Sequence, residues 1–192
     1  MAGEGGALLV NVPDLAARAE IVRDKGTNRG RFLRGDIDKY TWIDLGSSYA
    51  PSELTAAFLW AQMEASDAIV QRRMEVWDWY YSAFAELERR GCVRRPFVPA
   101  HCRHNAHMFY AIVPDAETRT RLLDSLNEDG INAVFHYVPL HSSPAGREHG
   151  RAHGQLPNTD TLSARLIRFP LWIGMERADI DRIVGVVERA LG

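Results

Sequence analysis

Two histidines and a tyrosine lie close together in the segment AVFHYVPLHSSP. If residues 131–137 form a strand, His136 and Tyr137 lie at its end, and Pro139 forces an extended turn that brings His141 near them. Imidazole and phenol groups at a strand end can hydrogen-bond a phosphate or a sugar hydroxyl. The cluster predicts a polar binding site, with structural histidines as the alternative.

A second polar segment, GTNRGRFLRG, places Arg29, Arg31 and Arg34 around two glycines. The forked guanidinium group matches the geometry of phosphate oxygens, so the segment is a candidate phosphate-binding loop. Composition alone favours a solvent-exposed basic loop instead.

Three histidines, His101, His104 and His107, recur at intervals of three residues, with Cys102 among them. This spacing would place the imidazoles on one face of a helix and suggests zinc. The segment follows Pro99, however, and leads into a predicted strand over 108–113, where the three rings would not converge. We therefore expect a polar loop and no metal site.

Lysine is rare in this chain. Of its 23 basic residues only Lys25 and Lys39 are lysines. A mechanism that needs a lysine amine therefore has two candidates.

The composition is that of a folded domain. The chain has 192 residues, 46% of them hydrophobic, and a formal net charge of -2, which permits one sizeable core or two small ones. A nearly neutral chain has no general electrostatic reason to bind nucleic acid. Its apolar stretches are shorter than a bilayer span and no leader opens the chain, so we expect no membrane insertion and a cytoplasmic location. Cys92 and Cys102 lack CxxC spacing, which fits a reducing compartment.

Hydrophobic periodicity predicts an α/β chain in which strands and helices position these groups. Expected strands cover residues 7–12, 108–113 and 131–137. Expected helices cover residues 14–25, 52–90 (two consecutive helices or one bent helix), 115–128, 159–166 and 179–191. The intervening residues 27–51 and 142–157 are expected to be loops.

Several segments together resemble one enzyme family. They are AGEGGALLVN, KGTNRGRF, DKYTWIDLGSSYAPSELTAAFLWAQME, NAHMFY, AVFHYVPLHSSPAG and RFPLW. Their order and spacing are similar to the later half of DegT/DnrJ-type sugar-nucleotide aminotransferases, which use pyridoxal phosphate. The third segment is the most specific, although the family usually shows Asn-Tyr-Arg where this chain has Ser48, Tyr49 and Ala50.

The resemblance implies a fragment of a fold-type I pyridoxal-phosphate transferase. Residues 1–86 would be the tail of the large cofactor-binding domain with the long linking helix, and residues 87–192 the small C-terminal α/β domain. The complete enzyme would transfer an amino group from glutamate to the 4-keto carbon of a dTDP-4-keto-6-deoxyhexose for surface polysaccharide synthesis.

The resemblance also assigns roles to residues. The family's Schiff-base lysine lies just before the Gly-Glu-Gly-Gly turn, and neither Lys25 nor Lys39 matches it, so we expect no catalytic residue and no turnover by this chain alone. Ser47 and Ser48 would contact the cofactor phosphate of the other subunit in a homodimer. The residues implied to line the dTDP-sugar side are Arg29, Tyr40, His136, Tyr137 and His141. Ala50 in place of arginine removes a charged contact.

Two alternatives remain open. The chain is half of a split enzyme completed by a separate N-terminal chain, or it is a non-catalytic binding or interaction remnant.

Overall fold

The computed structural model describes Gly3 and residues 5–192. Glu4, part of the Gly-Glu-Gly-Gly segment, lies outside the described residues. Two compact units divide between Ser66 and Asp67.

The first unit contains three helices among its described residues: α1 (Pro13–Arg23), α2 (Arg29–Leu33) and α3 (Glu53–Glu64). Proline at the first position of α1 fits a helix start, because no intrahelical partner is available there for a backbone N–H. Gly26, at φ 73°, follows the end of α1 as expected. The Ser52 side chain caps α3 by accepting a hydrogen bond from the Thr55 amide. The short helix α2 falls inside the predicted loop 27–51.

The strand predicted over residues 7–12 is wrong, because this segment is irregular. Its side chains Leu8 and Leu9 are 78% and 85% exposed. A strand requires a neighbouring chain to satisfy its backbone groups. None of the described residues pairs with this segment, so Leu8 and Leu9 remain exposed.

The second unit is built on an antiparallel pair of strands with helices around it. Its described elements are α4 (Ser66–Ala83, whose first residue belongs to the first unit), α5 (Ala85–Arg89), β1 (Phe109–Ile112), α6 (Ala116–Glu128), a 3-10 turn (Leu140–Ser142), α7 (Pro144–His149), α8 (Pro157–Ser163), β2 (Leu166–Phe169) and α9 (Arg177–Leu191). The register pairs Phe109 with Phe169 and Ile112 with Leu166. The predicted helices 115–128 and 179–191 are confirmed, as is the strand within 108–113.

The long helical segment predicted over residues 52–90 is helical but divided into α3, α4 and α5, with interruptions at Ala65 and Phe84. Gly91, at φ 75°, follows its end. Three residues of α4 are buried in the core of the second unit: Val76, Trp77 and Tyr80. Helix α4 therefore belongs to the second unit from Asp67 onwards. The domain boundary expected at residue 86 falls within α5. The assignment of residues 1–86 to a cofactor-binding domain stays a prediction.

Three further predictions between residues 131 and 166 differ from the structure in whole or in part. Residues 131–137 are not a strand; only Val134 pairs, in an isolated bridge to Arg168. The helix predicted over 159–166 ends at Ser163, and Leu166 begins β2 instead. Strand β2 has only four residues. The alternation of the buried Ile167 and Phe169 with less buried neighbours therefore covers too few positions to give a strong strand signal in the sequence. The predicted loop 142–157 contains α7, which begins at Pro144.

Aromatic side chains form the centre of the second unit. Tyr80 stacks on Phe109 with ring centroids 4.8 Å apart, and Phe84 and Phe169 pack edge-on at 5.1 Å. The Tyr80 hydroxyl donates to the Pro170 carbonyl at 2.8 Å, and burial raises the pKa of this phenol. Helices α6 and α9 add aliphatic side chains to the same core.

None of the helices in the described part of the chain combines the length and apolar character that crossing a bilayer requires.

Candidate functional site

The expected site residues divide between the two units. Arg29, Tyr40, Ser47 and Ser48 lie in the first unit, whereas the segment with His136, Tyr137 and His141 lies in the second. Each group is described within its own unit.

The serine pair in the first unit is held by its backbone. The Ser47 amide donates to the Val22 carbonyl at 3.0 Å, and the Lys25 amide donates to the Ser47 carbonyl at 3.0 Å. Ser48 forms an isolated bridge with Asp24. Both serines are exposed, and neither hydroxyl is hydrogen-bonded within the described part of the chain. These hydroxyls are therefore available to donate to a phosphate oxygen.

Glycines permit this close approach between the end of α1 and the serine segment. A Cβ atom on Gly46 would lie 2.2 Å from the Gly26 amide nitrogen, and one on Gly26 would lie 1.7 Å from the Asp44 carbonyl oxygen. Both contacts involve backbone atoms, which cannot rotate away as a side chain could.

We expect Gly46→Ala to separate the serine segment from α1. The Lys25 and Ser47 amides should then exchange hydrogen about tenfold faster or more, because their hydrogen bonds to the Ser47 and Val22 carbonyls open locally. Hydrogen exchange read by NMR measures this effect, with Gly6→Ala as the control, because nothing lies within 4 Å of a Cβ at Gly6. Unchanged exchange at both amides in Gly46→Ala would contradict the packing described.

The three arginines of the basic segment are not equivalent. Arg34 forms a two-point hydrogen bond with Glu20, at 2.6 Å and 3.0 Å, and this contact lowers the pKa of the Glu20 carboxyl. Gly30 leaves room for the pair, since a Cβ there would lie 2.4 Å from Glu20 Oε1. The Arg34 guanidinium is thus paired with carboxylates at the surface, which agrees with the solvent-exposed basic loop that composition favours.

Arg29 and Tyr40 remain accessible. The Arg29 guanidinium lies 4.0 Å from the Asp24 carboxylate and its side chain is half exposed. Tyr40 is about as exposed, with its ring 5.5 Å from that of Phe32. Both side chains can therefore reach a ligand, and their substrate role stays a prediction.

In the second unit, Arg168 of β2 joins His136 to Tyr137. Its Nη1 lies 3.3 Å from His136 Nδ1 and donates to the Tyr137 hydroxyl at 3.4 Å. The imidazole and phenol rings stack with centroids 4.1 Å apart. Burial, together with the positive charges of Arg168 and His107, lowers the pKa of His136. His136 is therefore neutral at neutral pH.

His141 has a different partner. Its Nε2 lies 3.0 Å from Asp160 Oδ1 of α8, so the two flanking histidines are held by separate contacts. An adjacent groove of about 420 Å³ is lined by Arg119, Phe135, Tyr137, Val138, Pro139, Asp160, Ser163 and Ala164. Arg119 donates from Nη1 to the Ser163 carbonyl, while its buried Nε has no hydrogen-bond partner in the described structure.

We expect Arg168→Gln to raise the pKa of His136 towards, but not fully to, the ordinary histidine value of about 6.5, because burial still opposes protonation. Proton NMR of the imidazole measures this, with the exposed Arg151→Gln as control. Since the folded state disfavours protonation, the stability contributed by neutral His136 is present above about pH 6.5 and is lost as pH falls through the folded value. An unchanged or lower His136 pKa in Arg168→Gln would contradict the cluster.

Of the histidines at 101, 104 and 107, His104 has side-chain contacts within the fold. The His104 ring packs edge-on against Trp77 at 4.5 Å, and its Nδ1 accepts from the Ala106 amide. Within the described residues no group of three or more His, Cys, Asp or Glu side chains is placed to hold a metal ion.

The chain fits pyridoxal phosphate only in part. The free serine hydroxyls suit its phosphate, but covalent attachment requires a lysine amine enclosed with the cofactor. Lys25 and Lys39 are both exposed, and the Lys25 backbone adopts a left-handed conformation at φ 60°, in the turn after α1. Neither lysine fits that role.

Comparison with known proteins decides the family. Residues 1–188 match the DegT/DnrJ/EryC1/StrS aminotransferase family. The chain belongs to this family. GDP-perosamine synthase of Caulobacter vibrioides is 28% identical over 193 residues, covering 98% of this chain and 48% of that protein. The chain spans about half the length of the curated relatives it matches.

Solved structures of aminotransferases have the same fold. DesV of S. venezuelae, solved in complex with a ketimine intermediate, superposes with a TM-score of 0.79 at 26% identity, covering 95% of this chain and 46% of that one. Helicobacter pylori PseC, an aminotransferase involved in the biosynthesis of pseudoaminic acid, gives 0.80 at 17% identity, covering 95% and 47%. The fold is thus that of sugar aminotransferases, helix-rich α/β, over about half their length.

Sequence reasoning missed Arg168 and Asp160. The signal for Arg168 is its place between two buried residues of LIRF, which puts it on the opposite side of the strand. Asp160 carries no comparable signal, because its contact with His141 depends on the path of the chain between them.

Proposed function

We propose that this chain is the C-terminal portion of a pyridoxal-phosphate-dependent sugar-nucleotide 4-aminotransferase, inactive alone. The complete enzyme transfers an amino group from glutamate to a dTDP-4-keto-6-deoxyhexose, as a dTDP-4-amino-4,6-dideoxygalactose transaminase, in the cytoplasm and for surface polysaccharide synthesis. The observation that carries the proposal is the family match along residues 1–188 in a chain whose two lysines are both exposed.

The described side chains support a substrate-side role. Arg29 and Tyr40 are accessible in the first unit, and His136, Tyr137 and His141 form a polar segment in the second. Ser47 and Ser48 present hydroxyls to the cofactor phosphate, which in the proposed homodimer belongs to the other subunit. The chain thus supplies groups that bind and orient, while the amine comes from elsewhere.

Exposed apolar side chains favour a second polypeptide as the source of that amine. Helix α3 has no buried residue, and its Leu54 and Phe58 are 85% and 60% exposed. Apolar surface on this scale marks an interaction site. Because the chain spans about half of its relatives' length, the occupant we propose is a separate chain that corresponds to their other half.

Co-expression with a chain matching the first half of the family tests this proposal. We expect the two chains to copurify and to form a dTDP-amino sugar from a dTDP-4-keto-6-deoxyhexose, glutamate and pyridoxal phosphate, detected by mass spectrometry. Phe58→Asp should prevent copurification, whereas Phe97→Asp should not, because Phe97 is an equally apolar exposed residue that lies outside helix α3, in the second unit.

Two outcomes would count against the proposal. Failure of the wild-type chains to copurify would reject the split enzyme. A copurified complex without aminotransferase activity would favour a binding or interaction remnant instead.

A further inference from the structure

The segment that leads into β1 is held by side chains. Residues 104–107, called the entry segment below, belong to no helix or strand. The Ala106 amide donates a hydrogen bond to His104 Nδ1 at 3.3 Å, and the His107 amide donates to Asn105 Oδ1 at 3.1 Å. The two amides of this segment therefore depend on side-chain acceptors instead of on a regular element.

Arg73 of α4 holds the carbonyl groups of the same segment. Its guanidinium donates to the Ala106 carbonyl at 3.1 Å and to the His107 carbonyl at 2.6 Å. A third hydrogen bond, to the Leu171 carbonyl at 3.5 Å, fastens the entry segment to the chain that follows β2. Every backbone donor and acceptor of Ala106 and His107 is thus paired with a side chain.

These contacts hold Ala106 in an unfavourable backbone conformation. Ala106 has φ 50°, in the left-handed region that an L side chain rarely adopts. Lys25, the other such non-glycine residue described, is exposed, whereas Ala106 is fully buried. A strained residue persists only where the surrounding contacts determine its conformation. The entry segment therefore needs its side-chain hydrogen bonds to keep its shape.

One of those hydrogen bonds is sensitive to protonation. A backbone amide only donates, so His104 Nδ1 must accept and carries no proton. An imidazolium ring carries protons on both nitrogens, so a protonated His104 would present a donor to the donor of Ala106. The ring packs edge-on against the buried Trp77 at 4.5 Å, which restricts its rotation. Histidine is the side chain whose charge ordinarily changes between pH 5 and 8.

A proton on His104 would gain no carboxylate partner. Helix α4, which packs against the ring, contributes Arg73 and Tyr81, and the residues flanking the ring in the chain contribute Arg103 and His107. None of these groups is a carboxylate. The ion pairs found among residues 5–192 include neither Arg73 nor His104. Protonation therefore costs the contact to Ala106 without supplying an ion pair in exchange.

We propose that the entry segment is a pH-sensitive latch that opens when His104 is protonated. Loss of the Nδ1 acceptor releases the Ala106 amide, and Ala106 then relaxes from its left-handed conformation. Because the segment leads into β1, its opening changes how the chain enters the sheet of the second unit. The latch lies within the second unit and does not depend on the proposed function.

Hydrogen exchange of the full chain, read by NMR between pH 8 and pH 5, tests the latch. The quantity compared is the protection factor of the Ala106 amide, which corrects for the intrinsic effect of pH on exchange. Protonation of His104 is followed in parallel at the carbon-bound protons of its ring. We expect the protection factor of Ala106 to fall about tenfold or more as His104 is protonated, while that of Ala111 in β1 stays constant.

His104→Asn is the matched variant. Its side chain offers an acceptor that does not titrate, as Asn105 already does for the His107 amide. The Ala106 protection factor should then change by no more than about threefold between pH 8 and pH 5. His101→Asn replaces an exposed histidine of the same loop and should retain the full decrease seen in the wild-type chain.

Two results would overturn the latch. One is an Ala106 protection factor that does not fall between pH 8 and pH 5 in the wild-type chain. The other is an undiminished decrease in His104→Asn that has kept its fold by circular dichroism. The first measurement needs no substitution, so it decides the matter even if His104→Asn fails to fold.

Discussion

Phe109→Ala is expected to destabilise the second unit by about 3–5 kcal/mol, which is the range for removing a large buried aromatic side chain. Phe109 is fully buried, and its ring contacts those of Tyr80, Phe84 and Trp77 at 4.8, 5.4 and 5.8 Å. The substitution leaves a cavity bordered by residues of α4 and of both strands. Urea denaturation followed by far-ultraviolet circular dichroism measures the change.

Phe97→Ala is the matched control. Phe97 is 83% exposed, so the same change in side chain should alter stability by no more than about 0.5 kcal/mol. Phe109→Leu should fall between the two, because it keeps much of the volume and loses the ring contacts. Equal stabilities of Phe109→Ala and Phe97→Ala would show that the aromatic cluster is not the core of the second unit.

Aminotransferase activity is expected only when the partner chain of the proposed two-chain complex is present. Transamination needs a lysine amine that holds the cofactor aldehyde and moves a proton, and we propose that neither exposed lysine of this chain provides it. Lys25→Gln combined with Lys39→Gln should therefore leave the activity of the two-chain complex within about twofold of wild type, because substitutions on an exposed surface rarely matter. Steady-state formation of amino sugar measures it.

The matched comparison is a lysine substitution in the partner chain, at the position just before its segment corresponding to Gly-Glu-Gly-Gly. That change should abolish activity while the complex still forms. Loss of activity in the Lys25→Gln, Lys39→Gln double variant of an intact complex would place the amine in this chain and contradict the proposal.

Local signals in the sequence predicted the longer helices, although the short helices α2 and α7 were missed. Helix α6 follows Asp115, whose side chain accepts a hydrogen bond from the Thr118 amide at 2.7 Å. In the sequence this start is visible as a capping residue that precedes an amphipathic run. Gly26 and Gly91 adopt left-handed conformations after the helices they follow. In such cases the residues that determine the element are its own neighbours in sequence.

Strands were harder to predict, because their formation depends on partners. Residues 7–12 have the composition of a buried strand but pair with none of the residues described. Val134 pairs with Arg168 through a single bridge instead of through a full strand, and β2 is short enough to be mistaken for the end of a helix. Pairing across distant segments leaves no mark in the local pattern.

The candidate site shows the same division. Its histidines, tyrosines and serines stand out by residue type, and the family resemblance selected them. Which of them are joined depends on contacts across the fold: Arg168 with His136, Asp160 with His141, and Arg34 with Glu20. The basic segment illustrates the limit, since Arg29 lies near Asp24 and Arg34 pairs with Glu20 although both arginines belong to one short segment.

Whether this chain supplies the Schiff-base lysine is tested by borohydride reduction of the purified, unassisted chain mixed with stoichiometric pyridoxal phosphate, followed by mass spectrometry of its peptides. We expect no stoichiometric pyridoxyl adduct on Lys25 or Lys39, and no amino sugar from the same preparation supplied with substrate. A stoichiometric adduct on either lysine, accompanied by amino-sugar formation, would contradict this expectation.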